Sequence, residues 1–86
     1  MNTAFLLMAQ YGGQAIIPLE TVGKDYFDMT RAVFFRKIND GKIKIPVVRM
    51  EMSQKCARGV HIDDLARYLD ERLAAARKEH EALFGR

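Results

Sequence analysis

Few residues in this chain of 86 are spaced for chemistry on a small molecule. Asp63 and Asp64 are adjacent, so on a helix their side chains diverge by about 100° and form no facing carboxylate pair. Cap and first-turn roles suit them better. The single cysteine, Cys56, excludes an internal disulfide. Lys55 and Arg58 beside it would lower its thiol pKa, although a lone loop cysteine is more often incidental. Neither Cys56 nor the two histidines, His61 and His80, have metal-ligand spacing. Gly12-Gly13 is followed by no phosphate-loop lysine and lacks GxGxxG spacing, so it reads as a turn and not a nucleotide cradle. The expectation is a protein that is not an enzyme and uses neither cofactor nor metal.

The bases carry more information. Net charge is only +3, yet eight bases fall between Arg31 and Arg58 against two acids, Asp40 and Glu51, and the remainder of the chain is acidic. A positive patch on an otherwise acidic protein is the footprint of a polyanionic partner. Length allows one compact domain with a modest core, taken as residues 1–86 with 74–86 as a helical extension. The apolar runs Ala4 to Ala9 and Ala15 to Leu19 are far too short to span a membrane. Met-Asn-Thr at the start has no basic leader. A cytoplasmic protein is therefore expected.

The elements that would position the patch follow from periodicity and punctuation. Thr3 is expected to cap a short helix from Ala4 to about Tyr11, which Gly12-Gly13 stops. Ala15-Ile16-Ile17 is a brief extended run, and Pro18 favours a helix after it, from Leu19 to Phe27. Gly23 on that helix suggests close approach of a second one. Asp28-Met29-Thr30 connects to a helix from Arg31 to Asn39, ended by Asp40-Gly41. Two short helices joined by about three residues make a helix-turn-helix signature. Beyond it, Ile43, Ile45, Val47 and Val48 favour a strand over Ile45 to Glu51. Ser53 to Gly59 reads as a basic loop, and Val60 to Ile62 as the second strand of a hairpin. Asp63 can then cap a long helix, about Asp64 to Leu83.

Together these elements predict an α+β, mainly helical fold: a winged helix-turn-helix with a short N-terminal helix, a two-stranded β-hairpin wing and a long C-terminal helix. The helix from Arg31 buries Phe34 and Ile38, leaving Arg31, Arg36 and Lys37 on other sides, as a recognition helix in a major groove requires. The same pattern describes an ordinary amphipathic helix with solvated bases. The loop adds Gln54, Lys55 and Arg58 with no acid from Ser53 to Gly59, which suits contact with phosphates or a minor groove. The candidate DNA-binding residues are Thr30, Arg31, Arg36, Lys37, Arg49, Gln54, Lys55 and Arg58. Along the last helix Ile62, Leu65, Leu69, Leu73, Ala76, His80 and Leu83 form a stripe longer than the core can cover, so a homo-oligomer through this helix is expected.

Several stretches resemble the pyocin activator (PrtN) family: Thr3 to Gly12, Ile17-Pro18-Leu19 with Asp25-Tyr26-Phe27, Pro46 to Arg49, Ser53-Gln54-Lys55, and Ala57 to His61. The resemblance runs to about Arg77. It implies a bacterial or phage-derived transcriptional activator that binds double-stranded DNA upstream of bacteriocin or prophage-like genes, with RNA polymerase as a candidate second partner. Pro18 to Leu69 also resembles the excisionase-like or MerR-like winged helix. Two alternatives stay open: an excisionase-like architectural protein for phage recombination, and a protein-interaction module whose basic patch meets an acidic partner.

Overall fold

A computed structural model describes residues 2–85. The chain runs α1 (Thr3–Gln10), β1 (Ile16–Pro18), α2 (Leu19–Phe27), α3 (Arg31–Asn39), β2 (Val48–Arg49), β3 (Arg58–His61) and α4 (Ile62–Phe84). It is an α+β fold, mainly helical. The expected single domain also takes in Met1 and Arg86, which lie outside the described residues.

The two central helices have the expected bounds because each carries its own start and stop signals. Pro18 precedes α2, and Asp28 ends it in the left-handed region at φ +52°, which aspartate tolerates better than most residues. The Thr30 side chain accepts from the Val33 N–H at 3.3 Å and caps α3. At Gly23 a Cβ would lie 3.0 Å from the Phe34 ring, so the missing side chain lets the helices close. Phe34 is fully buried there, with its ring centroid 4.7 Å from that of Phe27.

Elsewhere the structure departs from the sequence reading. The sheet has three antiparallel strands, in the order β1-β3-β2, and not the two of a simple hairpin. Ile16 pairs with His61 and Ile17 with Val60, so the run before Pro18 is an edge strand on the far side of β3. The strand expected over Ile45 to Glu51 shrinks to Val48–Arg49. Pro46 has no N–H to give a ladder, while Ile43 and Ile45 are buried as anchors of an irregular segment. Arg58 and Gly59, expected in the loop, belong to β3, and Ile62, expected in the strand, opens α4.

Two caps also differ. Asn2 and not Thr3 caps α1, through its side-chain oxygen and the Ala4 N–H; Thr3 instead donates to Asp70 of α4. His61 and not Asp63 caps α4, its Nδ1 accepting from the Asp63 N–H at 3.0 Å, which leaves Asp63 and Asp64 in the first turn. Carboxylates there favour the positive end of the helix dipole.

The core gathers Leu7, Ile17, Leu19, Val22, Phe34, Ile43, Ile45, Val60, Ile62, Leu65 and Ala66 from every layer. On its rim the Tyr11 hydroxyl donates to Asp25 at 2.7 Å and Tyr26 donates to Gln10, tying α1 to α2. Burial, the bond to Asp25 and the charge of Asp25 all push the Tyr11 pKa up. From Asp70 onward every described residue of α4 is exposed, and this projecting half draws the molecule out to 51 × 29 × 18 Å.

Gly59 is the tightest point of the sheet. A Cβ there would sit 2.6 Å from Ile16 Cγ2 and 2.7 Å from the Ile17 carbonyl oxygen, and a backbone oxygen cannot simply rotate away. Gly59→Ala should therefore destabilise the fold by about 2 kcal/mol, the scale of a forced core insertion. Urea unfolding of the two proteins measures the difference; equal midpoints would mean that β1 does not lie against β3 as described.

Candidate nucleic-acid interface

The exposed side of α3 follows from the burial of Phe34. With that ring inward and Val33, Phe35 and Ile38 half-buried beside it, Arg31, Ala32, Arg36 and Asn39 are left in solvent. Thr30 and Arg31 stand at the open N-terminal end of the helix, and Lys37 is half-buried on its flank. Ala32, Arg36 and Asn39 recur at steps of four and three residues. That spacing was readable in the sequence, but attention to charge alone passes over Ala32 and Asn39.

The segment between β2 and β3 is held by its own backbone and by two arginines. Met50 N–H donates to the Ala57 carbonyl at 3.0 Å, Cys56 N–H to the Ser53 carbonyl at 3.2 Å, and Lys55 N–H to Ser53 Oγ at 3.1 Å. Arg49 reaches over the turn, its Nη2 donating to the carbonyls of Met52 and Ser53 at 3.4 and 3.2 Å. From the other strand Arg58 Nη2 donates to the Gln54 carbonyl at 2.9 Å. Gln54 and Lys55 are left exposed at the end of the loop, together with Met52, which is 90% exposed.

Arg58 does a second thing. Its guanidinium lies 5.0 Å from the centre of the Phe35 ring, a cation–π distance, so the loop is fastened to α3. Phe35 is the residue that sequence reasoning missed altogether. An aromatic beside a buried Phe34 looks like more core, and nothing local announces a partner more than twenty positions away. Of the eight candidate residues, Thr30, Arg31, Arg36 and Lys37 sit on or at α3, while Arg49, Gln54, Lys55 and Arg58 sit on the loop and its strands. The Arg58–Phe35 contact sets the two groups side by side.

Little within the chain neutralises this patch. Among the described residues the ion pair between a Lys or Arg and a carboxylate is Arg67–Asp64, which involves no base between Arg31 and Arg58. Glu20, Asp25 and Asp28 line an open cleft between α2 and the start of α3 with Lys24 and Arg31, and Asp40 caps the other end of α3. Asp25 is engaged there by Tyr11. Among the described residues no group of three or more histidine, cysteine or carboxylate side chains is placed to hold a metal ion.

Fold and patch together define a small, mainly helical α+β protein whose bases are concentrated between Arg31 and Arg58. The chain belongs to the family described as pyocin activator protein PrtN, whose family model matches residues 3–76. That span covers the whole packed body and stops inside α4. The family is regulatory by description, a class of activators. No curated protein and no solved structure matches the chain. No described helix is long and apolar enough to cross a membrane.

Cys56, only 5% exposed, sits beneath the loop. Burial pushes its thiol up, but hydrogen bonding by Arg49, a backbone contact at Glu51 and the charge of Arg58 together outweigh it, and the net pKa falls below the ordinary 9.0. The native thiol thus loses its proton before the unfolded one, and stability gains from it as pH rises towards that of the free thiol. Between about pH 7 and pH 9 the stability of the native sequence should rise relative to Cys56→Ser. A gap that stays constant in urea unfolding across that range would show that the two arginines do not hold a thiolate.

Proposed function

We propose that this chain is a sequence-specific, double-stranded-DNA-binding activator of bacteriocin or prophage-like genes, and that it reads its operator as a winged helix-turn-helix. The observation that carries this reading is the Arg58–Phe35 contact, which brings a basic loop against a basic helix whose cations, among the described residues, form no ion pair with a carboxylate. Coulombic attraction to phosphate then supplies affinity, and the joined elements supply register. In this reading α2 and α3 are the helix-turn-helix, and the segment from β2 to β3 is the wing.

The residues divide by their freedom. Thr30 and Arg31 at the start of α3, and Gln54 at the wing tip, are placed to influence which bases are accepted, arginine being able to read guanine bidentately. Among the described residues Arg36, Lys37 and Lys55 form no ion pair, and in this reading they meet phosphates. Arg49 and Arg58 already bind wing carbonyls, so they shape the wing while adding their charge to it. RNA polymerase, the remaining partner of an activator, would be met away from this face. The exposed side chain of Met52 at the wing favours one second reading, an architectural role like that of excisionases, because apolar side chains at such tips wedge between base steps and bend the duplex.

Footprinting over the region upstream of bacteriocin-type genes should give discrete protected boxes, whereas protection confined to an attachment site would favour the architectural reading. On a protected box, Arg36→Ala and Lys55→Ala should each reduce the salt slope of binding by about one unit and weaken cognate and scrambled DNA alike. Arg31→Ala should cost about 1–3 kcal/mol on the cognate box and much less on scrambled DNA. Unchanged affinity and salt slope in the Arg36 and Lys55 variants would remove this face from the interface.

A further inference from the structure

The apolar residues left in solvent outside the wing fall into two groups at opposite ends of one feature. At the base of the projecting half of α4 lie Leu73, 45% exposed, and the outer side of α1 with Phe5 at 65% and Leu6 at 53%. At its tip lie Leu83 at 71% and Phe84 at 68%, the latter with its ring 4.8 Å from that of His80. The Thr3–Asp70 hydrogen bond fixes the start of α1 one turn before Leu73, so α1 and α4 contribute to one base. α1 buries Leu7 inward and yet carries Phe5, Leu6, Met8 and Ala9 outward. A helix that is apolar on all sides is ordinarily covered on all sides.

The geometry points to a second copy of this chain as the occupant, with the projecting halves of two α4 helices paired antiparallel so that the tip of each lies on the base of the other. At about 100° per residue, Leu73, Ala76, His80 and Leu83 keep to one stripe, continuous with the buried face that Ile62 and Leu65 turn to the core. Arg77 and Glu81 lie one turn apart along one edge of that stripe. An antiparallel two-fold axis near residue 79 brings Leu73 of one copy opposite Leu83 and Phe84 of the other, and sets Arg77 of each against Glu81 of the other. In a parallel pair the two-fold axis would carry the Arg77–Glu81 edges of the two helices to opposite sides of the seam, so that Arg77 would not meet Glu81 of the other copy. The small Ala74, Ala75 and Ala76 let the backbones approach, and the overlap of about 16 Å from Leu73 to Phe84 leaves each packed body beyond the end of its partner's helix. The contact is isologous, so each apolar group is covered twice over by one operation.

This assembly stands apart from the DNA-binding reading, and one consequence rests on that reading: two basic faces at opposite ends of a dimer would require two half-sites in the operator. Sedimentation of the full chain without DNA keeps the two questions distinct. At concentrations on the order of tens of micromolar the chain should sediment as a dimer, and Leu83→Glu with Phe84→Glu should sediment as a monomer with unchanged helical circular dichroism. Arg77→Glu should raise the dimer dissociation constant roughly fivefold, and adding Glu81→Arg to the same chain should restore it. A native chain that sediments as a monomer, a dimer that survives both acidic substitutions at the tip, or no recovery in the charge-swapped chain would each overturn the proposal.

Discussion

Strand β3 runs between β1 and β2 with no space for a side chain at Gly59, and that constraint sets where everything else can lie. With β1 drawn against it, Ile17 and Val60 are carried into full burial. The residue before the glycine, Arg58, reaches across to Phe35 and to the loop carbonyl of Gln54. The residue two positions after it, His61, caps the long helix. Four consecutive residues therefore join the third helix, the basic loop, the first strand and the last helix. A change at Gly59 would be felt at the basic face even though the glycine touches none of its exposed residues.

The same four residues show what the sequence makes legible. Elements with their own punctuation were readable: Pro18, Thr30 and Asp40-Gly41 mark the ends of α2 and α3 through local geometry, and Gly23 announced the helix contact that Phe34 fills. The run into Pro18 was readable as extended but not as a strand of the sheet, because its partner β3 lies far along the chain. The β-branched run after Gly41 suggested a longer strand than forms, since Pro46 withholds a donor and Ile43 and Ile45 are drawn individually into the core. Asp63 is by propensity the better cap than His61. Position decided instead, because β3 delivers the histidine to the helix start.

The basic face was visible in composition, but its construction was not. Counting charge identifies eight bases between Arg31 and Arg58; it cannot distinguish those that brace from those that are free. Arg49 and Arg58 spend donors on carbonyls of the loop, and their charge also lowers the pKa of the Cys56 thiol. The loop is thus shaped by the charge that makes it attractive to a polyanion. Loop geometry and loop electrostatics should change together when either arginine is lost.

The central claim is that α3 and the loop between β2 and β3 form one surface that receives DNA. Amide chemical-shift mapping tests it most directly, with an isotope-labelled chain titrated by a duplex from the upstream region of a bacteriocin-type gene. Perturbations concentrated at Thr30 to Lys37 and at Met52 to Arg58, saturating together while the outer surface of α1 stays unmoved, are the result this account predicts. Shifts confined to α1 and α4, or separate saturation of the helix and the loop, would contradict it.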